Sequence, residues 1–149
     1  MTTASPAPPA DAAVPGWVRG FRWATLVTAS LVVLGVFLQV YFIASYIFGA
    51  GEDALDAHKN LGGFVHLVEV LTFLLALGGF WRRWVDVGWA FALAAIGTIQ
   101  LAFADGDEWV GGFHGLLALV VLILAAVVAH RAMRSLGIGR PGRMPGDYH

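Results

Sequence analysis

The sequence predicts an all-α integral membrane protein, a four-helix bundle built of two tandem helical hairpins. Three observations predict it: four long stretches almost free of charge, a composition far from that of a soluble domain, and a pattern in the first half of the chain that returns in the second. Hydrophobic residues make up 58% of the chain and charged residues 13%, with a mean hydropathy of +0.74. A soluble domain carries about 25% charged residues.

The first element, residues 1–16, is rich in Pro and Ala and has no basic segment ahead of an apolar core. It leads into a span too long for a signal peptide and reads as a disordered cytoplasmic tail. Residues 17–134 then hold four spans, at about 23–48, 61–81, 86–104 and 109–130, and residues 135–149 form a second cytoplasmic tail. About 20 residues at 1.5 Å each cross the hydrocarbon core, so each span is long enough or nearly so. Within the second span the single charged residue is Glu69.

Charge sets the orientation. Arg19 and Arg22 precede span one, Arg82 and Arg83 lie between spans two and three, and Arg131, Arg134, Arg140 and Arg143 follow span four. By the positive-inside rule these three segments face the cytoplasm. The two remaining connections, 49–60 and 105–108, carry Glu52, Asp53, Asp56, Asp105, Asp107 and Glu108 with one Lys59, and face outward. Trp17, Trp23, Trp81, Trp84 and Trp109 sit at span ends and Trp89 just inside one, as interfacial anchors do. A multi-pass protein of the cell membrane with both termini cytoplasmic is expected, its main partner being the lipid bilayer.

The chain has no cysteine. That excludes a disulfide relay, thiolate-held metal or iron–sulfur centres, and covalent c-type haem. Nucleic acid is not an expected partner, because the basic residues flank spans and form no separate patch. There is no nucleophile elbow, phosphate loop or carboxylate cluster, so no enzymatic assignment is made.

The repeat suggests where a site would lie. Gly62-Gly63-Phe64 is followed 18 residues after Phe64 by Arg82, and Gly111-Gly112-Phe113 is followed 18 residues after Phe113 by Arg131. This spacing superposes spans two and four without a gap. Gln39 and Gln100 occupy matching places near the outer ends of spans one and three. Equivalent residues of the two hairpins then face one another at a shared interface.

His58, His66 and His114 share the outer half of the spans, whereas His130 lies at the inner edge and His149 on the tail. Two neutral imidazoles from different helices at one depth could ligate a b-type haem. Counted from Arg82 and Arg131, His66 is 16 residues out and His114 is 17, while His58 is 24 out. That depth favours His66. A porphyrin lying against a helix needs a small residue one turn from its ligand, and there His58 has Gly62 as His114 has Ala118. Both partners for His114 stay open.

Glu69 lies about two turns into span two among apolar residues, where a charge costs several kcal/mol unless neutralised or paired. His66, three residues earlier on the same face, offers a partner and a proton relay; a neutral carboxyl bonded to Gln100 and holding two helices together is the alternative.

Hairpins with His near the outer ends of spans two and four resemble one half of haem A synthase and, more loosely, the four-helix cytochrome b561 type. The chain also resembles a family of uncharacterised bacterial four-helix membrane proteins. The residues that carry this are Asp56-Ala57-His58-Lys59-Asn60-Leu61-Gly62, His114-Gly115-Leu116-Leu117-Ala118, His130-Arg131 with Arg134, and the two glutamines. The resemblance covers about residues 20–134 and implies the fold, haem b, and a leaning to His58 over His66. With half the spans of haem A synthase and a short first outer loop, the chain is not expected to oxidise a haem methyl group. Three functions follow as expectations: haem-dependent electron transfer or haem handling, with quinone or a redox protein as partner; a proton-coupled transport subunit using Glu69, which would act as a homo-oligomer; or a cofactor-free accessory or assembly protein.

Overall fold

A computed structural model describes residues 14–104 and 106–139. The expectations for residues 1–13, Asp105, Arg140, Arg143 and His149 fall outside the described residues. Four helices follow in order: α1 (Gly16–Ile47), α2 (Glu52–Gly79), α3 (Trp84–Ala102) and α4 (Glu108–Ser135). Among the described residues there is no strand. All four helices are long and apolar enough to cross a membrane, which is consistent with a multi-pass membrane protein.

The helices overrun the uncharged stretches that announced them. α2 begins at Glu52, so residues expected in an outer loop, His58 among them, form its first turns. Charge marks where hydrocarbon ends rather than where a helix ends. Glu52 and Asp53 in the first turn suit the positive pole of the helix. The turn before it is made by Gly49 and Gly51, at φ 93° and 85°, conformations that side chains resist.

Each helix packs on its neighbours in sequence, and α4 closes the ring on α1. Across the diagonals, α1 to α3 and α2 to α4, no Cα atoms come within 8 Å among the described residues. At the end that carries the termini, four fully buried alanines, Ala29, Ala76, Ala90 and Ala132, form a layer around Phe80. Small residues let membrane helices approach closely. Further along, Val32, Val65, Val68, Leu93, Val121 and Leu124 form a wider aliphatic layer. Leu67, Leu71 and Leu74 on α2, and Leu116, Leu119 and Ile123 on α4, stay exposed on the outer surface, at the spacing of one helix face.

The buried positions correct the register of the repeat. Val65 with Val121, Val68 with Leu124, Glu69 with Ala125, Thr72 with Val128, and Ala76 with Ala132 occupy matching places, each 56 residues apart. The Gly-Gly-Phe spacing had implied 49. The difference of seven residues is nearly two whole turns, about 10 Å, and leaves each residue on almost the same face. Arg82 and Arg131 are therefore not equivalent: Arg82 follows the end of α2, whereas Arg131 lies inside α4. In the first and third helices the pairs Ala29 with Ala90, Val32 with Leu93, and Gln39 with Gln100 are each 61 residues apart, as is Arg22 from Arg83, the residue that precedes α3.

Arginines read as cytoplasmic flanks tie the terminal end together. Asp86, only 6% exposed, receives Arg83 Nε at 2.7 Å and Arg131 Nε at 2.6 Å, joining α3 to α4. Arg22 Nε donates to the Gly79 carbonyl at 2.9 Å, and its Nη1 to the Ser135 carbonyl at 3.4 Å, so α1 caps the ends of α2 and α4. The Arg22 and Arg83 guanidinium groups both lie over the Phe80 ring, at 5.6 and 5.4 Å.

An exposed ion pair contributes at most about 1 kcal/mol, whereas breaking a fully buried one costs about 3–5 kcal/mol. Asp86 is buried but its arginines are partly exposed, so Asp86→Ala is expected to cost an intermediate amount, about 2 kcal/mol. Reversible unfolding in detergent micelles checks this.

Candidate functional site

Beyond the aliphatic layer the bundle is not filled. A cavity of about 770 Å³ opens at the end distal to the termini, lined by residues of all four helices. Close-packed interiors leave few voids larger than a water molecule, so a space of this size is more than a packing defect. The residues singled out from sequence line it together: Gln39 from α1, His58, Gly62, His66 and Glu69 from α2, Gln100 from α3, and His114 and Ala118 from α4. A second cleft, of about 120 Å³ between α1 and α2, has no polar side chain in its lining.

His58 and His114 face each other across the α2–α4 diagonal. Their ring centroids are 6.2 Å apart and their planes cross at 76°. Each is the seventh residue of a 28-residue helix, so the corrected register places them at equivalent positions. The depth count that favoured His66 rested on Arg82 and Arg131 and does not hold.

Each ring is fixed by the neighbouring helix of its own hairpin. His58 Nδ1 lies 3.1 Å from the Gln39 carbonyl oxygen, and His114 Nδ1 lies 3.2 Å from that of Gln100. A carbonyl can only accept, so both Nδ1 atoms carry the proton and Nε2 of each neutral ring keeps a free lone pair. Gln39 Nε2 donates in return to the His58 carbonyl at 2.9 Å. Gly62 allows this, since a side chain there would start 2.9 Å from that nitrogen. Gly62 thus shapes the cavity wall and clears the Gln39 amide. Among the described residues, the buried side-chain oxygens of Gln39 and Gln100 have no hydrogen-bond partner.

Deeper in the same cavity lies the second pair. Glu69 is 2% exposed, and its Oε2 is 3.0 Å from His66 Nδ1. The carboxylate is not bonded to Gln100. It rests instead against Gly97 of α3, where a Cβ atom would overlap it. Among the described residues no group of three or more His, Asp or Glu side chains converges in the way a bare metal ion requires.

Comparison with protein-family models, curated proteins and solved structures finds no match for the chain.

Sequence reasoning did not assign a site role to Gly97 or Lys59 or a structural one to Asp86. Lys59 lines the cavity mouth next to His58. Gly97 is one of 19 glycines, and only the carboxylate opposite distinguishes it. Gly97→Ala is expected to cost about 1–3 kcal/mol through overpacking. In an Glu69→Ala background most of that cost should vanish, a coupling measurable by a double-mutant cycle of unfolding free energies.

Proposed function

We propose that this protein binds haem b in the distal cavity through His58 and His114 and serves one-electron transfer or haem handling in the cell membrane, with both termini cytoplasmic. The observation that carries the reading is the 6.2 Å separation of two imidazoles whose Nδ1 atoms are both committed to backbone carbonyls. Two imidazole nitrogens each about 2 Å from one metal place the ring centres roughly 6 Å apart. Histidines that ligate metals commonly donate their other nitrogen to a carbonyl, which fixes tautomer and orientation.

The donor set also suits this cofactor. Two histidines without acidic companions are too few for a bare ion, whereas a porphyrin brings the other ligands with it. Haem would supply a reversible one-electron change. The chain's own residues hold and orient it: His58 and His114 from opposite helices, Gly62 and Ala118 one turn beyond each, and apolar side chains such as Val36, Val65 and Leu122 excluding water. His66 sits eight residues, about 12 Å, further along α2 and faces Glu69, so it is not assigned as a ligand. Exchange with a membrane quinone or a redox protein suits a site within the spans, and a homo-oligomer is compatible with the exposed apolar faces.

Purified in detergent after expression with adequate haem supply, the protein is expected to show a sharp low-spin b-type spectrum on reduction. His58→Ala and His114→Ala should each weaken haem retention at least about tenfold, the scale of losses at metal sites, while His66→Ala keeps the spectrum. A colourless, folded wild type would overturn the proposal.

A further inference from the structure

Glu69 and His66 line the cavity that holds His58 and His114, yet ligation as proposed leaves them without a task. Their surroundings are unusual. α1 has no titratable side chain between Arg22 and Tyr41, and α3 has none after Asp86 within the helix. α4 offers His114 across the cavity and then nothing until His130. On α2 itself the neighbours are His58 and Lys59 at the mouth. Asp86, Arg83 and Arg131 are engaged with one another at the terminal end. With His58 and His114 committed as ligands, the His66–Glu69 pair is the protonatable group of the cavity's interior.

We infer that His66 and Glu69 form a proton-binding site coupled to the electron held between His58 and His114, so that the protein takes up a proton together with an electron. The inference rests on the haem reading above. A neutral pair, with one proton shared between carboxylate and imidazole, accepts a second proton to become Glu69-COOH beside His66 imidazolium. That adds one positive charge to the cavity wall. An electron entering the site adds one negative charge to the same cavity, and its donor is any one-electron reductant. Over about 12 Å at an effective dielectric constant of ~20, the attraction between the two charges changes proton affinity about tenfold. Burial keeps it from being screened by salt, as it would be at a surface. Gly97 gives the carboxylate its place against α3, and the cavity gives the pair its opening.

The test is a spectroelectrochemical titration of the haem-loaded protein between about pH 5 and 9, for wild type, Glu69→Gln and His66→Gln, with redox-difference infrared spectra of the wild type. For the wild type, the reduction equilibrium should become less favourable as pH rises, by about tenfold in total across the range, or 59 mV for one electron, and by about threefold per pH unit where it is steepest. Glu69→Gln should keep the visible spectrum and reduce that dependence to less than about twofold per unit. His66→Gln should move the pH range in which it occurs. The infrared difference should contain a carboxylic acid band that appears on reduction. A pH-independent wild type, an infrared difference without a carboxylic acid change, or a slope that persists in Glu69→Gln would overturn the inference; the last would assign the proton to the haem's own carboxylates. If Glu69→Gln fails to fold, the wild-type slope, the infrared band and His66→Gln decide. A protein that never takes up haem removes the reading beneath the inference, and the inference with it. This outcome is recognised by the missing spectrum rather than by its pH dependence.

Discussion

Two hydrogen bonds determine what the distal end of this bundle can do: His58 Nδ1 to the Gln39 carbonyl, and His114 Nδ1 to the Gln100 carbonyl. Each lies within one hairpin and joins its two helices. Together they place two imidazoles of defined tautomer on opposite sides of one space. In a low-dielectric interior an imidazole left without a partner costs free energy and has no preferred orientation. The acceptors are backbone oxygens, so the arrangement depends on where helices lie more than on which side chain stands at residues 39 and 100.

The rest of the bundle keeps those helices where the bonds need them. At the terminal end the alanine layer draws all four together, and Asp86 and Arg22 connect their ends. The aliphatic layer widens the interior, and beyond it the helices enclose a cavity. Without a hydrophobic drive between helices in lipid, close packing and buried polar contacts must hold the assembly. One half of the bundle is closely packed, and the other half holds the cavity. Glu69 sits at the boundary between them, against Gly97.

Most of the architecture was legible in the residues. Four nearly uncharged stretches of bilayer length pointed to four long apolar helices, and Gln39 and Gln100 were already conspicuous by their matching places, with His58, His66 and His114 as the outer histidines. The helix limits were not legible, because Glu52, Asp53 and Asp56 end the apolar stretch while favouring the helix that begins there. The register of the repeat was misread for a related reason: Gly-Gly-Phe recurs seven residues off the structural match, and a heptad shift preserves the buried face. That slip alone made His66 compete with His58 for His114. Asp86 was hidden among flanking charges, since nothing in one sequence says that Arg83 and Arg131 converge on it. The fit of Gly97 to Glu69 belongs to a pair of helices and has no signature in either.

The central claim is that His58 and His114 ligate one haem from opposite sides, with imidazole planes crossed steeply as the free rings are at 76°. Low-temperature electron paramagnetic resonance of the oxidised, haem-loaded protein tests it most directly, because the signal of low-spin ferric haem responds to the angle between its two imidazoles. The account predicts a strongly anisotropic low-spin signal of the crossed-plane type that is absent from both His58→Ala and His114→Ala and unchanged in His66→Ala. A rhombic signal of near-parallel imidazoles, or a signal that depends on His66, would contradict it.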